Sequence, residues 1–262
     1  MQGRVYSEVG GYNVCSLTQG VACAAVCLLM LFPSRSGAQL GLDLETGVAF
    51  SGYNDVRIPG DTGTKFSLSE ELEADPTAFV RVRVLHTFGG KHTVSALAAP
   101  LRIRSEGTVD RDVIFEGETF DAGTPLETLF RFDSYRLSYR YDFHRGERTR
   151  AGVGLTAKIR DAAISVDGGD KECEKTNTGF VPLVNFSLLW DATERFGFLL
   201  DGDALVGPQG RAEDVLFAVV YHPAERFGLK LGYRILEGGA DVDEVYNFTL
   251  VNYLAAGVTL TF

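Results

Sequence analysis

Asp201 and Asp203 are two carboxylates whose spacing could serve acid–base work, because residues two apart in an extended segment point to the same side. Such a pair needs a proton carrier beside it, and the chain has 4 histidines, His86, His92, His144 and His222. A second set is cationic. Arg81, Arg83, Arg102, Arg136, Arg140, Lys158, Arg160, Lys230 and Arg234 sit in rows that alternate with apolar residues. Guanidinium and ammonium groups in such rows either hold carboxylates or line a place for an anion. A third set, Asp241, Asp243 and Glu244, offers hard oxygen ligands for Ca²⁺ or Mg²⁺ but lacks the loop spacing of an EF-hand. It reads as solvated surface charge, and no metal ligand is assigned. GPQG at 207–210 is a turn signal with no Walker lysine or following helix, so no cofactor is implied.

Which of these groups meet depends on the elements that carry them. From Tyr246 to the end, every second residue is apolar or aromatic with the single exception of Asn252: Tyr246, Phe248, Leu250, Leu254, Ala256, Val258, Leu260 and Phe262. The other row holds Asn247, Thr249, Tyr253, Gly257, Thr259 and Thr261. A period of two over such a length is a strand with one face for oil and one for a polar interior, longer than the usual five or six residues of a soluble strand. A strand of about 9 to 11 residues tilted through a bilayer has this pattern. The end, AAGVTLTF at 255–262, resembles the C-terminal signature of bacterial outer-membrane β-barrels, with Gly257, Leu260 and Phe262 in the expected places. The resemblance implies that this strand is recognised by the barrel-assembly machinery.

The same alternation recurs upstream. Leu40, Leu42, Leu44, Val48 and Phe50 oppose Gly41, Asp43, Glu45 and Gly47; Val80, Val82 and Val84 oppose Arg81 and Arg83. Val94, Ala96 and Ala98 continue after the turn at 88–91. Beyond Pro100 the apolar parity shifts to Leu101 and Ile103, which predicts a bulge and turns Arg102 inward. Tyr135, Leu137, Tyr139, Tyr141 and Phe143 oppose Arg136, Arg140 and Asp142, and Val153, Leu155, Ala157 and Ile159 oppose Lys158 and Arg160. Further strands are read over about 180–190, 196–206, 213–222, 227–236 and 245–262, making ten. Twelve would follow if 112–120 joined the wall, and eight if two central segments were loop; ten ranks first. The fold class is thus all-β, an antiparallel up-and-down transmembrane barrel with apolar residues outside and charge inside.

Short connections near 89–91, 144–148, 191–195 and 223–226 alternate with longer ones at 54–76, 105–128, 167–179, 207–212 and 237–244, as periplasmic turns and external loops do. Aromatic residues at strand ends, Phe88, Phe143, Trp190, Phe196 and Phe227, fit an interfacial girdle. The segment 112–120 reads as a hairpin above the membrane. Several stretches, 134–143, 207–215 and 236–248, resemble uncharacterised outer-membrane barrels of Gram-negative bacteria, a resemblance that carries location and fold without an activity.

Val21 to Phe32 is an apolar run of 12 followed by the small residues Ser36, Gly37 and Ala38, the pattern of a signal peptide cleaved before Gln39. Residues 1–38 are read as leader and 39–262 as barrel. The mature chain would keep 23 basic and 34 acidic side chains, a net charge of −11, and Cys173 as its single cysteine. That excludes an intramolecular disulfide and a cysteine-based zinc site, and makes nucleic acid a poor partner. The expected partners are outer-membrane lipid and lipopolysaccharide and the assembly machinery; no residue pattern names an external ligand.

By parity the cations point into the lumen, where Asp43, Glu45, Asp142, Asp201 and Asp203 can oppose them. The expected function is a non-enzymatic surface element whose lumen is a polar plug and whose loops are acidic, with seven acids against Arg111 between Glu106 and Glu127. The alternative is a narrow channel through an arginine-lined lumen, with Arg136, Arg140 and Arg160 as contacts for an anion. An enzyme ranks last, and no catalytic residue is assigned. Ten strands is also the number in the outer-membrane proteases, which need a histidine at the upper end, whereas all four histidines here map to the periplasmic turns.

Overall fold

The computed structural model describes residues 39–208 and 210–262. The segment 1–38 read as a signal peptide lies outside the described residues. The described chain is strand and turn throughout: β1 (Gln39–Arg57), β2 (Phe66–Ser67), β3 (Glu73–Ala74), β4 (Thr77–Phe88), β5 (His92–Ala99), β6 (Arg102–Thr108), β7 (Val113–Phe115), β8 (Glu118–Phe120), β9 (Pro125–Arg145), β10 (Thr149–Gly168), β11 (Lys171–Asp191), β12 (Phe196–Gly207), β13 (Gly210–Ala224), β14 (Phe227–Val242) and β15 (Val245–Thr261). β5 and β6 form one wall strand interrupted at Pro100, because both pair with β9. Counted so, the wall has ten strands, each antiparallel to the next, and β15 closes on β1 from Gly41↔Thr261 to Arg57↔Tyr246. Closure leaves no edge along that seam.

The alternation sorts the side chains as the pattern requires. Leu137, Phe143, Leu155, Phe180, Leu231 and Leu254 stand on the outer wall, each more than half exposed. Glu45, Arg81, Arg136, Lys158, Asp203 and Arg234, of the opposite parity, are buried inside. The one break in the outward row of β15 is satisfied, since the Tyr233 hydroxyl donates to Asn252 Oδ1 at 2.7 Å. Trp190 and Phe198 stack at 5.6 Å and Phe196 and Tyr221 pack at 4.7 Å on the lower rim, which supplies part of the aromatic girdle.

Three expectations are corrected. The bulge at Pro100 is absent: Ala99↔Ser134 and Arg102↔Arg131 belong to one continuous register, and the Phe132 amide donates to the Leu101 carbonyl between them at 2.9 Å. What changes there is the environment, not the parity. Above the membrane the outside of the barrel meets water and the inside is filled by loops, so Leu101 and Ile103 turn to the buried interior. Arg102 therefore faces out, with its guanidinium forked onto Asp133, and does not belong to the lumen. The third correction concerns the loops at 167–179, 207–212 and 237–244. They are strand: β10 and β11 pair as far as Gly168↔Lys171, β12 and β13 as far as Gly207↔Gly210, and β14 and β15 as far as Val242↔Val245.

The two remaining outer connections, 58–76 and 109–124, fold together into a cap. β7 and β8 form the hairpin expected above the membrane, turning at Glu116 and Gly117, both with positive φ (48° and 85°), the twist a two-residue hairpin turn favours. Phe66, Leu68, Leu72, Val113, Phe115 and Phe120 of these segments are buried with Ile103, Leu126 and Phe130 of the wall, a small apolar core inside the upper barrel.

Candidate functional site

Side chains from all round the wall meet in the lower and middle lumen. Asp214, on β13, is the hub: Arg81 Nη2 donates to it at 2.9 Å, and Arg136 and Arg234 each add a contact from β9 and β14. Glu45 accepts from Arg234 through Nε at 2.7 Å and Nη2 at 3.0 Å, and lies 2.9 Å from Lys230 Nζ and 3.6 Å from Arg81 Nε. Lys230 also reaches Asp43 at 2.8 Å. Asp203 accepts from Arg136 at 2.7 Å, from the Thr156 hydroxyl at 2.6 Å and from Asn185 Nδ2 at 2.9 Å. One layer lower, Asp201 joins Arg83 at 2.9 Å and Arg140 at 3.1 Å, and Asp142 lies 3.7 Å from Arg140.

Such a network is what burial demands. An isolated charge in a narrow lumen costs several kcal/mol, and several opposed charges with filled lone pairs offset that cost. The arrangement uses strand geometry, because Arg81 with Arg83, Lys230 with Arg234 and Asp201 with Asp203 each come from one face of one strand. Asp214 is the member that sequence reasoning missed. Its parity was readable from Leu216, Ala218 and Val220, but those inward residues are apolar, so β13 shows little contrast between its faces.

Lys158 and Arg160 face inward at the upper margin of this network: Lys158 stands opposite Arg136 in the register of β9 and β10, yet neither is in an ion pair among the described residues. The Lys158 ammonium lies 4.8 Å from the centre of the Phe132 ring and has no carboxylate at ion-pair distance among the described residues. Arg160 bonds Asn177 through Nη2, while its Nε is buried without a hydrogen-bond partner among the described residues. Both line a cavity of about 750 Å³ in the upper barrel, beside the cap, with Phe130, Phe132, Leu205 and Leu236 among its walls. The four histidines lie at the opposite end: His86 and His92 stack on Phe88 at 6.0 Å and 5.3 Å, and His144 and His222 occupy the ends of β9 and β13 beside turns. Asp201 and Asp203 have arginine partners and no histidine beside them.

The outward apolar row gives the last geometric fact. On β11 it runs from Trp190 up to Phe180, ten residues that at about 3.4 Å each and about 40° of tilt climb roughly 26 Å, the height of an outer-membrane hydrocarbon band. At the next outward level, Asp161 pairs with Arg131 at 3.0 Å, next to the pair of Arg102 and Asp133.

The chain has the fold of a bacterial outer-membrane β-barrel. Its fold matches the crystal structure of the outer-membrane protease OmpT from Escherichia coli with a TM-score of 0.59, at 9% identity over 88% of this chain and 99% of that one. Ail, the attachment invasion locus protein of Yersinia pestis, gives a TM-score of 0.40 at 11% identity over 87% of this chain and 100% of that one. OprG from Pseudomonas aeruginosa gives 0.35 at 12% identity over 87% and 97%. No protein-family model and no curated protein matches the chain. At 9% identity the likeness to OmpT is one of fold. In this barrel the short turns and both ends of the wall face the periplasm, and the cap and the cavity face the cell exterior.

Proposed function

We propose that this barrel is a non-enzymatic surface element of the bacterial outer membrane: a closed, salt-bridged scaffold that presents a capped, acidic outer face. The observation that carries the reading is the pairing of the mid-lumen arginines and Lys230. Arg81, Arg136 and Arg234 converge on Asp214, and Glu45 takes Arg234 and Lys230 besides, so the groups that would line a pathway are bound to one another. An ion crossing there would have to displace several charge-assisted hydrogen bonds. The placement of the histidines at the periplasmic rim, away from the exterior cavity, supports the non-enzymatic part. Arg102, Arg104 and Arg131, on the outer wall just above the apolar band, suit the anionic headgroups of lipopolysaccharide.

Single-channel recording of the purified barrel in a planar bilayer tests the plug. Silent, correctly folded protein is the expected result. Discrete conductance steps whose ion preference changes with Arg136→Ala would replace the plug with a narrow channel.

A further inference from the structure

Lys158 and Arg160 are inward cations with no carboxylate at ion-pair distance among the described residues, and they share a large space inside the upper barrel. Below them, Asp43, Glu45, Asp142, Asp201, Asp203 and Asp214 are engaged by Arg81, Arg83, Arg136, Arg140, Lys230 and Arg234. Lys158 is thus a surplus cation, 3% exposed, with its ammonium 4.8 Å from the centre of the Phe132 ring and in no ion pair among the described residues. A buried ammonium without a paired anion is costly, and the ring face offsets only part of that cost. About 7 Å above it on the same face of β10, Arg160 holds a buried donor with no partner among the described residues. Two donors of like charge, one strand face and one cavity point to an anionic group between them.

The walls say what is attached to that group. Phe130, Phe132, Ile164, Leu205 and Leu236 give the cavity a mainly apolar lining, and its volume of about 750 Å³ lies within the range of about 300–1,000 Å³ for small-molecule pockets. The cavity also reaches the wall. β11 and β12 pair from Asp191↔Gly197 up to Val184↔Ala204, while β12 continues to Gly207 and β11 extends a further 13 residues above Val184. Above that pair the two strands are not joined among the described residues. Pro182 stands on β11 at the parting and has no N–H to offer a neighbour. Phe180, Val181, Pro182, Leu205 and Gly207, which flank the parting, also line the cavity. Outward Phe180 and Val184 belong to the apolar row, so the split opens in the outer-leaflet half of the band, where bare strand edges are expensive unless something covers them.

We propose that this cavity binds a single-tailed amphipathic organic anion, its carboxylate or phosphate held by Lys158 and Arg160 and its hydrocarbon tail lying in the split between β11 and β12. The proposal rests on the reading that the salt-bridged layer closes the lumen beneath. Calorimetric titration of the full-length protein, purified and held in amphipol, tests it with sodium laurate, dodecyl phosphate, dodecanol and butyrate as probes. Saturable 1:1 binding of laurate or dodecyl phosphate is expected, with dodecanol and butyrate each at least tenfold weaker, since a charge-assisted hydrogen bond and a buried tail each contribute on that scale. The preference between laurate and dodecyl phosphate identifies the headgroup. Lys158→Met should lower laurate affinity tenfold or more, and Leu205→Trp, which fills the mouth, should do the same with both cations intact. Equal binding of laurate and dodecanol, or a wild-type affinity in Leu205→Trp, would overturn the proposal even if Lys158→Met failed to fold. Conductance is a separate readout, so a leaky lumen and an empty pocket are distinguishable failures.

Discussion

At the residue scale, Asp214 and Arg102 mark the two extremes of what a charge does in this protein. Asp214 is 1% exposed and is shared by three arginines. Its replacement by asparagine would leave three guanidinium groups facing one another around a neutral amide. Breaking one partner of a buried ion network costs about 3–5 kcal/mol. Asp214→Asn should therefore lower the unfolding free energy of the barrel in urea by that much, with the transition read from loss of heat-modifiable gel mobility. Arg102 has a side chain 43% exposed and a single acidic partner. Arg102→Ala should cost less, about 1–3 kcal/mol, since it leaves the buried Asp133 carboxylate with the Leu101 amide, and a loss as large as that of Asp214→Asn would return Arg102 to the lumen. The sequence supplied both charges; it did not supply the level at which each strand leaves the membrane, and that level decides which is which.

At the element scale, the closing strand and the cap obey different physics. β15 is held along its length by β1 and β14, and its last residue, Phe262, is 64% exposed with its amide donating to the Leu40 carbonyl at 2.8 Å. Such a side chain contributes little to the folded state. The resemblance of the end to outer-membrane insertion signals gives it a role before folding, so Phe262→Ala should reduce the amount of assembled barrel in the outer membrane severalfold. Its unfolding midpoint once assembled should stay unchanged; normal assembly would remove that role.

The two segments of the cap are joined by hydrogen bonds, from the Thr64 amide to the Ile114 carbonyl and from the Ile114 amide to the Thr64 hydroxyl, both at 2.9 Å, and from the Glu116 amide to the Ile58 carbonyl at 3.0 Å, and by an ion pair. Arg111 reaches both oxygens of Glu71 and the Lys65 carbonyl, and the Ser67 amide donates to Glu71 Oε1 at 3.0 Å. The hydrogen bonds from Arg111 hold the Glu71 carboxyl below its ordinary value, against the opposing effect of burial. A carboxyl depressed in the folded state contributes stability above its unfolded value and loses it as pH falls through the folded one. The cap should therefore loosen below about pH 4.5, seen as faster amide exchange over 64–74 and 110–120 after correction for the intrinsic rate. Arg111→Met should open the same segments at neutral pH and flatten that pH dependence. A cap equally protected at pH 7 and pH 3 would show that its apolar core and backbone hydrogen bonds hold it without the ion pair.

At the scale of the whole molecule, the barrel is layered along its axis. A periplasmic aromatic rim lies at the bottom, a salt-bridged layer through the middle, and above it a cap and an open cavity share the upper interior. The layering explains why the faces of β9 and β10 exchange polarity along their length: outward Leu137 and Ile159 give way to outward Asp133 and Asp161, while inward Arg136 and Lys158 give way to inward Phe130 and Ile164. A strand in one uniform environment keeps one pattern; these strands pass through two.

The sequence alone determined the wall. A period of two over many residues and short turns at one end are local properties, written residue by residue, and they put ten antiparallel strands, with lipid outside, ahead of twelve and eight. It also placed the hairpin at 112–120 and the inward face of Asp43, Glu45, Arg136 and Asp203. Only the tertiary structure decided which charges meet, because Asp214 and Arg81 are far apart in the chain and join only when the barrel closes. It alone decided that the upper interior is apolar, since that polarity depends on two loops folding back into the barrel. The parting of β11 from β12 belongs there too: a strand's pattern names its faces, whereas the height at which it loses a neighbour depends on how far that neighbour climbs.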